Sequence, residues 1–132
     1  MPCLDGSQSI TLQALRGPMV LNVWGSWCYS CKTELPYFRD FYQSSLGKVQ
    51  LVGVDVEEAT IADARTFVVN QGMLWPSISD PDGRTRGHFG MGVPVTWFIA
   101  PDGSIKYKLI GPVHSAQELK DLTKEYLGID IA

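Results

Sequence analysis

Apolar residues are spaced along this chain in two rhythms. Met19-Val20-Leu21-Asn22-Val23-Trp24 is a near-continuous apolar run of strand length, suited to a strand covered on both faces. After Tyr29 the spacing turns helical. Leu35, Phe38, Phe41 or Tyr42, and Leu46 recur every three to four residues, and Gly47 is placed to stop the helix. Pro36 falls inside that segment; without an N–H to reach the Lys32 carbonyl, it is expected to kink the helix. Residues 49–56 read as the next strand. Residues 60–71 read as a helix, with Ile61, Ala64, Phe67 and Val68 on one face and Gly72 at its end. Shorter signals suggest strands at 9–12 and 75–79, a turn at 80–83 and a single helical turn at 85–89. Residues 94–100 and 105–110 read as two strands joined by the turn Pro101-Asp102-Gly103-Ser104. Ser115 with Glu118 three residues on is a capping box, opening a last helix that ends near residue 127.

This order implies an α/β fold. Early strands joined by helical crossovers require a parallel portion, and the late hairpin adds an antiparallel edge. A central mixed sheet with helices on both faces satisfies the pattern.

At 132 residues, a single domain over 1–132 is expected. Net charge is −3 with no Lys/Arg cluster, so nucleic acid and anionic membrane surfaces are not expected partners. No stretch reaches the roughly 18 apolar residues of a membrane-spanning helix. Met1-Pro2-Cys3 has neither the basic nor the apolar region of a signal peptide. Either a cytosolic protein or a domain cut free of its export segment would read this way.

The candidate chemistry lies in Trp27-Cys28-Tyr29-Ser30-Cys31. A strand, then Cys-x-x-Cys, then a helix is the context in which this spacing reads as redox chemistry. The helix start lets a disulfide close between i and i+3 and directs free N–H groups at the first sulfur. Cys28, at that start, is the expected attacking thiol. A thiol of pKa about 8.5 is only about 3% thiolate at pH 7, and a helix N-terminus can lower the pKa enough to make it mostly thiolate. Cys31, one turn deeper, is the expected resolving thiol. A zinc site needs about four ligands, and Cys3, His88 and His114 are scattered, so no metal is expected. Glu34 shares a helical face with Cys31; it could exchange a proton with that thiol or simply be a solvated glutamate suited to the helix dipole. Trp24 is expected in the core, and Trp27 as a partly exposed platform beside Cys28. Tyr29 is a candidate for tuning the potential or touching substrate. Cys3 is an unpaired thiol or a partner for another cysteine, and the two histidines are given no role.

These residues carry a resemblance. The apolar strand into Trp-Cys-x-x-Cys, Pro36 five residues past Cys31, and Val93-Pro94-Val95-Thr96 before a hairpin and helix resemble the thioredoxin fold. The TlpA/ResA group of extracytoplasmic thiol–disulfide oxidoreductases, with its DsbE-like members, is the finer match. Three features carry it: Lys32-Thr33-Glu34-Leu35-Pro36 after Cys31, a helix-and-strand insertion over about 56–90, and the run from Gly92 to Gly103. The resemblance covers about residues 9–127. It implies that Pro94 is cis and exposes the Val93 backbone to an extended substrate peptide. It also strengthens the proton-exchanging role of Glu34. One departure stands out: ordinary thioredoxins carry aspartate six residues before the first cysteine, where this chain has Asn22, which cannot take up a proton at neutral pH.

The resemblance implies a monomeric, extracytoplasmic reductant of the cytochrome c maturation type, needing no cofactor beyond the Cys28–Cys31 pair. Its partners would be apocytochrome c or other exported proteins, and a membrane or thioredoxin-type redox protein. The alternatives are a DsbE-like oxidant that installs disulfides, and a non-catalytic binding module with a structural disulfide. A peroxiredoxin reading lacks its Pro-x-x-x-Thr-x-x-Cys pattern.

Overall fold

A computed structural model describes residues 16–56, 60–80 and 93–132. The expected elements at 9–12 and 85–89, with Cys3 and His88, lie outside the described residues. Within them the chain forms β1 (Met19–Trp24), α1 (Tyr29–Ser45), β2 (Gln50–Val56), α2 (Ile61–Asn70), β3 (Ser77–Asp80), β4 (Val95–Ile99), β5 (Ile105–Ile110) and α3 (Ala116–Leu127). The strands make one mixed sheet in the order β3-β2-β1-β4-β5. β2 pairs parallel with β1 and with β3, while β4 pairs antiparallel with β1 and with β5. The parallel half and the antiparallel hairpin fall where the crossover argument puts them.

β1 is buried at every residue because it is central and covered on both faces. One face packs Val20, Trp24, Leu51 and Phe98 against Leu35, Phe38 and Phe41 of α1, Ala64 of α2 and Leu119 of α3. The cluster on the other face is built from strand residues, among them Leu21, Val23, Val54, Ile78 and Trp97. Among the described residues, then, the helices expected on both faces gather in the first cluster. β5 alternates exposed and half-buried positions, as an edge strand does.

Element ends follow local chemistry. α1 runs through Pro36 as one helix and stops at Leu46. α2 is capped by Thr60, whose hydroxyl accepts the Asp63 N–H at 3.1 Å. α3 ends at Gly128 in the left-handed conformation (φ 69°), where glycine has no Cβ to clash. β3 starts two residues later than its apolar pattern suggests and takes in Asp80, which the sequence assigns to a turn. The Trp75 side chain is drawn into an aromatic group with Phe38 and Tyr42, centroids 6.4 and 5.7 Å away. The Gly17–Pro18 bond is cis, which no sequence signal marked.

Candidate redox site

The site grows out of the C-terminal end of β1. Gly25, Ser26 and Trp27 turn the chain, closed by Cys28 N–H donating to the Gly25 carbonyl at 3.1 Å. Gly25 leaves room for an indole: a Cβ there would stand 2.5 Å from Trp27 Nε1. The Trp27 ring crosses this gap and donates its N–H to the Val56 carbonyl at 3.2 Å, tying the turn to the end of β2. Trp27 is still 53% exposed and Tyr29 79% exposed, so an apolar surface flanks the cysteines as expected. Trp24 lies in the core, stacked on Phe67 at 5.2 Å.

Cys28 is the N-cap of α1, and Cys28 and Cys31 form a disulfide with Cα atoms 5.3 Å apart. The Cys31 N–H donates to Cys28 Sγ at 3.2 Å. This donor and the helix N-terminus favour negative charge at Cys28, and the first turn of α1 carries no acidic residue to oppose it. Both sulfur residues are buried, Cys31 more deeply.

Glu34 is not the solvated glutamate that its position in an early helical turn allowed. It is 1% exposed, among the most buried side chains in the protein. Asn22 Nδ2 donates to Oε1 at 2.9 Å, and the Val113 N–H donates to Oε2 at 3.0 Å. Burial pushes the Glu34 carboxyl from 4.5 up to about 7; the Val113 and Asn22 hydrogen bonds oppose that shift without cancelling it. These two partners are what sequence reasoning missed. A signal for one of them existed: Asn22 is the sole polar residue in the apolar run of β1, and a buried amide must find a hydrogen-bond partner.

The Val93–Pro94 bond is cis, as the resemblance implied. Pro94 is buried and Val93 half-buried. The register places them beside the pair's end of the sheet, because Val95 pairs with Val23, next to Asn22. The Pro94 carbonyl accepts the Gly111 N–H at 2.9 Å. His114 is exposed. No cluster of His, Cys, Asp and Glu able to hold a metal occurs among the described residues.

Residues 1–108 match the AhpC/TSA family model. The chain belongs to the AhpC/TSA family. Within that family it is similar to the thiol-disulfide oxidoreductase ResA of Bacillus thuringiensis, 32% identical over 94% of this chain and 69% of the relative. It is also similar to the thiol:disulfide interchange protein DsbE of Pseudomonas fluorescens, 27% identical over 96% of this chain and 70% of that protein. The crystal structure of StoA from Bacillus subtilis superposes with a TM-score of 0.77 at 27% identity, covering 93% of each chain. The fold is therefore thioredoxin-like, and this AhpC/TSA chain is a thiol–disulfide oxidoreductase of the ResA/DsbE type.

Proposed function

We propose that this protein reduces disulfides of exported proteins outside the cytoplasm, in the manner of reductants that keep apocytochrome c cysteines available for haem attachment. The observation that carries this reading is the carboxyl of Glu34, sealed on the buried face it shares with Cys31 and ionisable near neutral pH. A strong oxidant is strong because its reduced, thiolate form is stabilised. A buried negative charge behind the pair acts against that thiolate, so it lowers the potential and favours giving electrons away. The relatives' ResA and DsbE names, and a structural neighbour described as a secreted Mycobacterium tuberculosis disulfide oxidoreductase, support an extracytoplasmic setting.

The roles follow from position. The Cys28 thiolate attacks one sulfur of the substrate disulfide; a Cys28–substrate bond forms and the other substrate sulfur leaves as a thiolate. Cys31 then gives its proton to the Glu34 carboxylate and attacks Cys28 Sγ. The Cys28–Cys31 disulfide forms, and the second substrate thiolate departs. Two electrons pass from the pair to the substrate, and a membrane or thioredoxin-type dithiol restores them. Trp27 and Tyr29 would contact the substrate chain through their exposed rings, and the Val93 backbone before Pro94 would pair with it. The protein would work as a monomeric domain with no further cofactor.

Two measurements test this. Insulin reduction by dithiothreitol should be accelerated by the wild type and not by Cys28→Ser; equal rates would end the catalytic assignment of Cys28. Equilibration against glutathione should place the potential nearer about −270 than about −120 mV. The second outcome would favour an oxidant, a reading the N-cap position of Cys28 supports by stabilising the reduced form.

A further inference from the structure

We propose that Asn22 is the positioning residue for Glu34, an adaptable partner that serves the carboxyl group in both of its protonation states. The inference rests on the proton-exchanging role of Glu34 given above.

Asn22 is 1% exposed in the middle of an apolar strand. Its Nδ2 gives a 2.9 Å hydrogen bond to Glu34 Oε1 and only a long 3.5 Å contact to the Val95 carbonyl. Its Oδ1 is buried with no hydrogen-bond partner. A carboxylate accepts only, so it needs the Nδ2 side of the amide. A carboxylic acid carries an O–H and needs an acceptor; the Oδ1 side is that acceptor once the amide turns over. The amide offers both from one side chain, at separate atoms. Ionised aspartate cannot donate to the carboxylate, and leucine can do neither. The Val113 N–H holds the second oxygen at 3.0 Å throughout, so the carboxyl keeps its place while its partner changes.

Few charged groups compete for control of Glu34. Next to Asn22 on this face, β4 offers Thr96, opposite it, and Phe98, neither charged. β2 turns Leu51, Gly53 and the buried Asp55 to the same face. α3 contributes buried Leu119 and Thr123. The segment before α3 brings Val113 and, at its exposed end, His114. On α1 itself stand Cys31 and Lys32, the latter exposed with Nζ 6.0 Å over the Phe67 ring.

The test compares wild type, Asn22→Leu and Asn22→Asp, each with Glu34 intact and with Glu34→Gln. The readouts are the rate of disulfide exchange from pH 5.5 to 9 and the carbon-13 titration of the Glu34 carboxyl in the oxidised protein. The charge-assisted bond to the carboxylate is the stronger of the two, so losing both in Asn22→Leu should still move the Glu34 midpoint up by about one pH unit or more. Asn22→Asp, nearly isosteric and so a safeguard for folding, should raise the upper midpoint and split the titration, because two adjacent carboxyls share one proton. Both shifts in the rate profile should vanish with Glu34→Gln. Unmoved carbon-13 midpoints in both Asn22 variants would overturn the proposal, as would a rate shift that persists without Glu34 and so belongs to another group such as Asp55. If Glu34→Gln alone leaves the rate profile unchanged, the proton step of the proposed function fails; the carbon-13 midpoints still decide the role of Asn22.

Discussion

A carboxyl group that titrates near pH 7 inside a protein links stability to acidity. Folded Glu34 holds its proton up to about pH 7, whereas its ordinary value is 4.5. Its contribution is therefore fully present below about 4.5 and is lost as the pH rises through 7, reaching about 3 kcal/mol. Denaturant unfolding of the oxidised protein should show the wild type weaker at pH 8 than at pH 5, and Glu34→Gln should flatten that difference. An undiminished slope in the variant would place the linkage elsewhere. Gly25 sets a second residue-scale limit. A methyl group there would push the Trp27 indole off the Val56 carbonyl. Gly25→Ala should shift Trp27 fluorescence and slow insulin reduction several-fold, at a stability cost of about 1 kcal/mol because the half-exposed ring has room to move. The Cys28–Cys31 spacing was legible because its signal spans four residues. The surroundings of Glu34 were not, because Asn22 lies 12 positions away and Val113 lies 79 away.

Elements with local causes matched their sequence signals. Ser115 caps α3 as read, its hydroxyl accepting the Glu118 N–H at 3.0 Å. The returning bond differs: Glu118 Oε1 accepts from the His114 N–H at 2.8 Å, one residue before the cap, so the side chain ties down the incoming segment. That segment also supplies the Val113 donor to Glu34. Ser115→Ala should cost about 1 kcal/mol in thermal or denaturant unfolding. A cost near zero would mean that the Glu118–His114 bond holds the start of the helix without the hydroxyl. Where tertiary packing decides, the pattern misled. Trp75 is apolar and precedes a strand, yet it packs with Phe38 and Tyr42, and pairing begins at Ser77. Periodicity reports which residues avoid water, and that is not the same as which residues join a ladder.

At the scale of the whole molecule, the sheet order puts both halves of the redox chemistry at one end of β1. The cysteines leave β1 directly, and the Pro94 segment arrives beside it through β4. The strand-and-helix sequence was enough to infer a mixed sheet, but it did not show which face the described helices cover. The same order has a kinetic consequence. β1, β2 and β3 assemble over neighbouring crossovers, and β4 with β5 closes as a hairpin. Within the sheet of the described residues the two pieces pair along β1 and β4, where Asn22 and Val95 are 73 residues apart. Closing a loop of that length is the entropically demanding event in the assembly, so the seam should be formed in the rate-limiting transition state. Val23→Ala, at the buried seam, should therefore slow refolding more than it speeds unfolding, while Ile105→Ala at the β5 edge should do the reverse. Stopped-flow chevrons of the oxidised protein would show this, and a Val23→Ala variant with an unchanged refolding limb would move the nucleus away from the seam. On this view the strand that leads into the cysteines is also the place where the chain commits to folding.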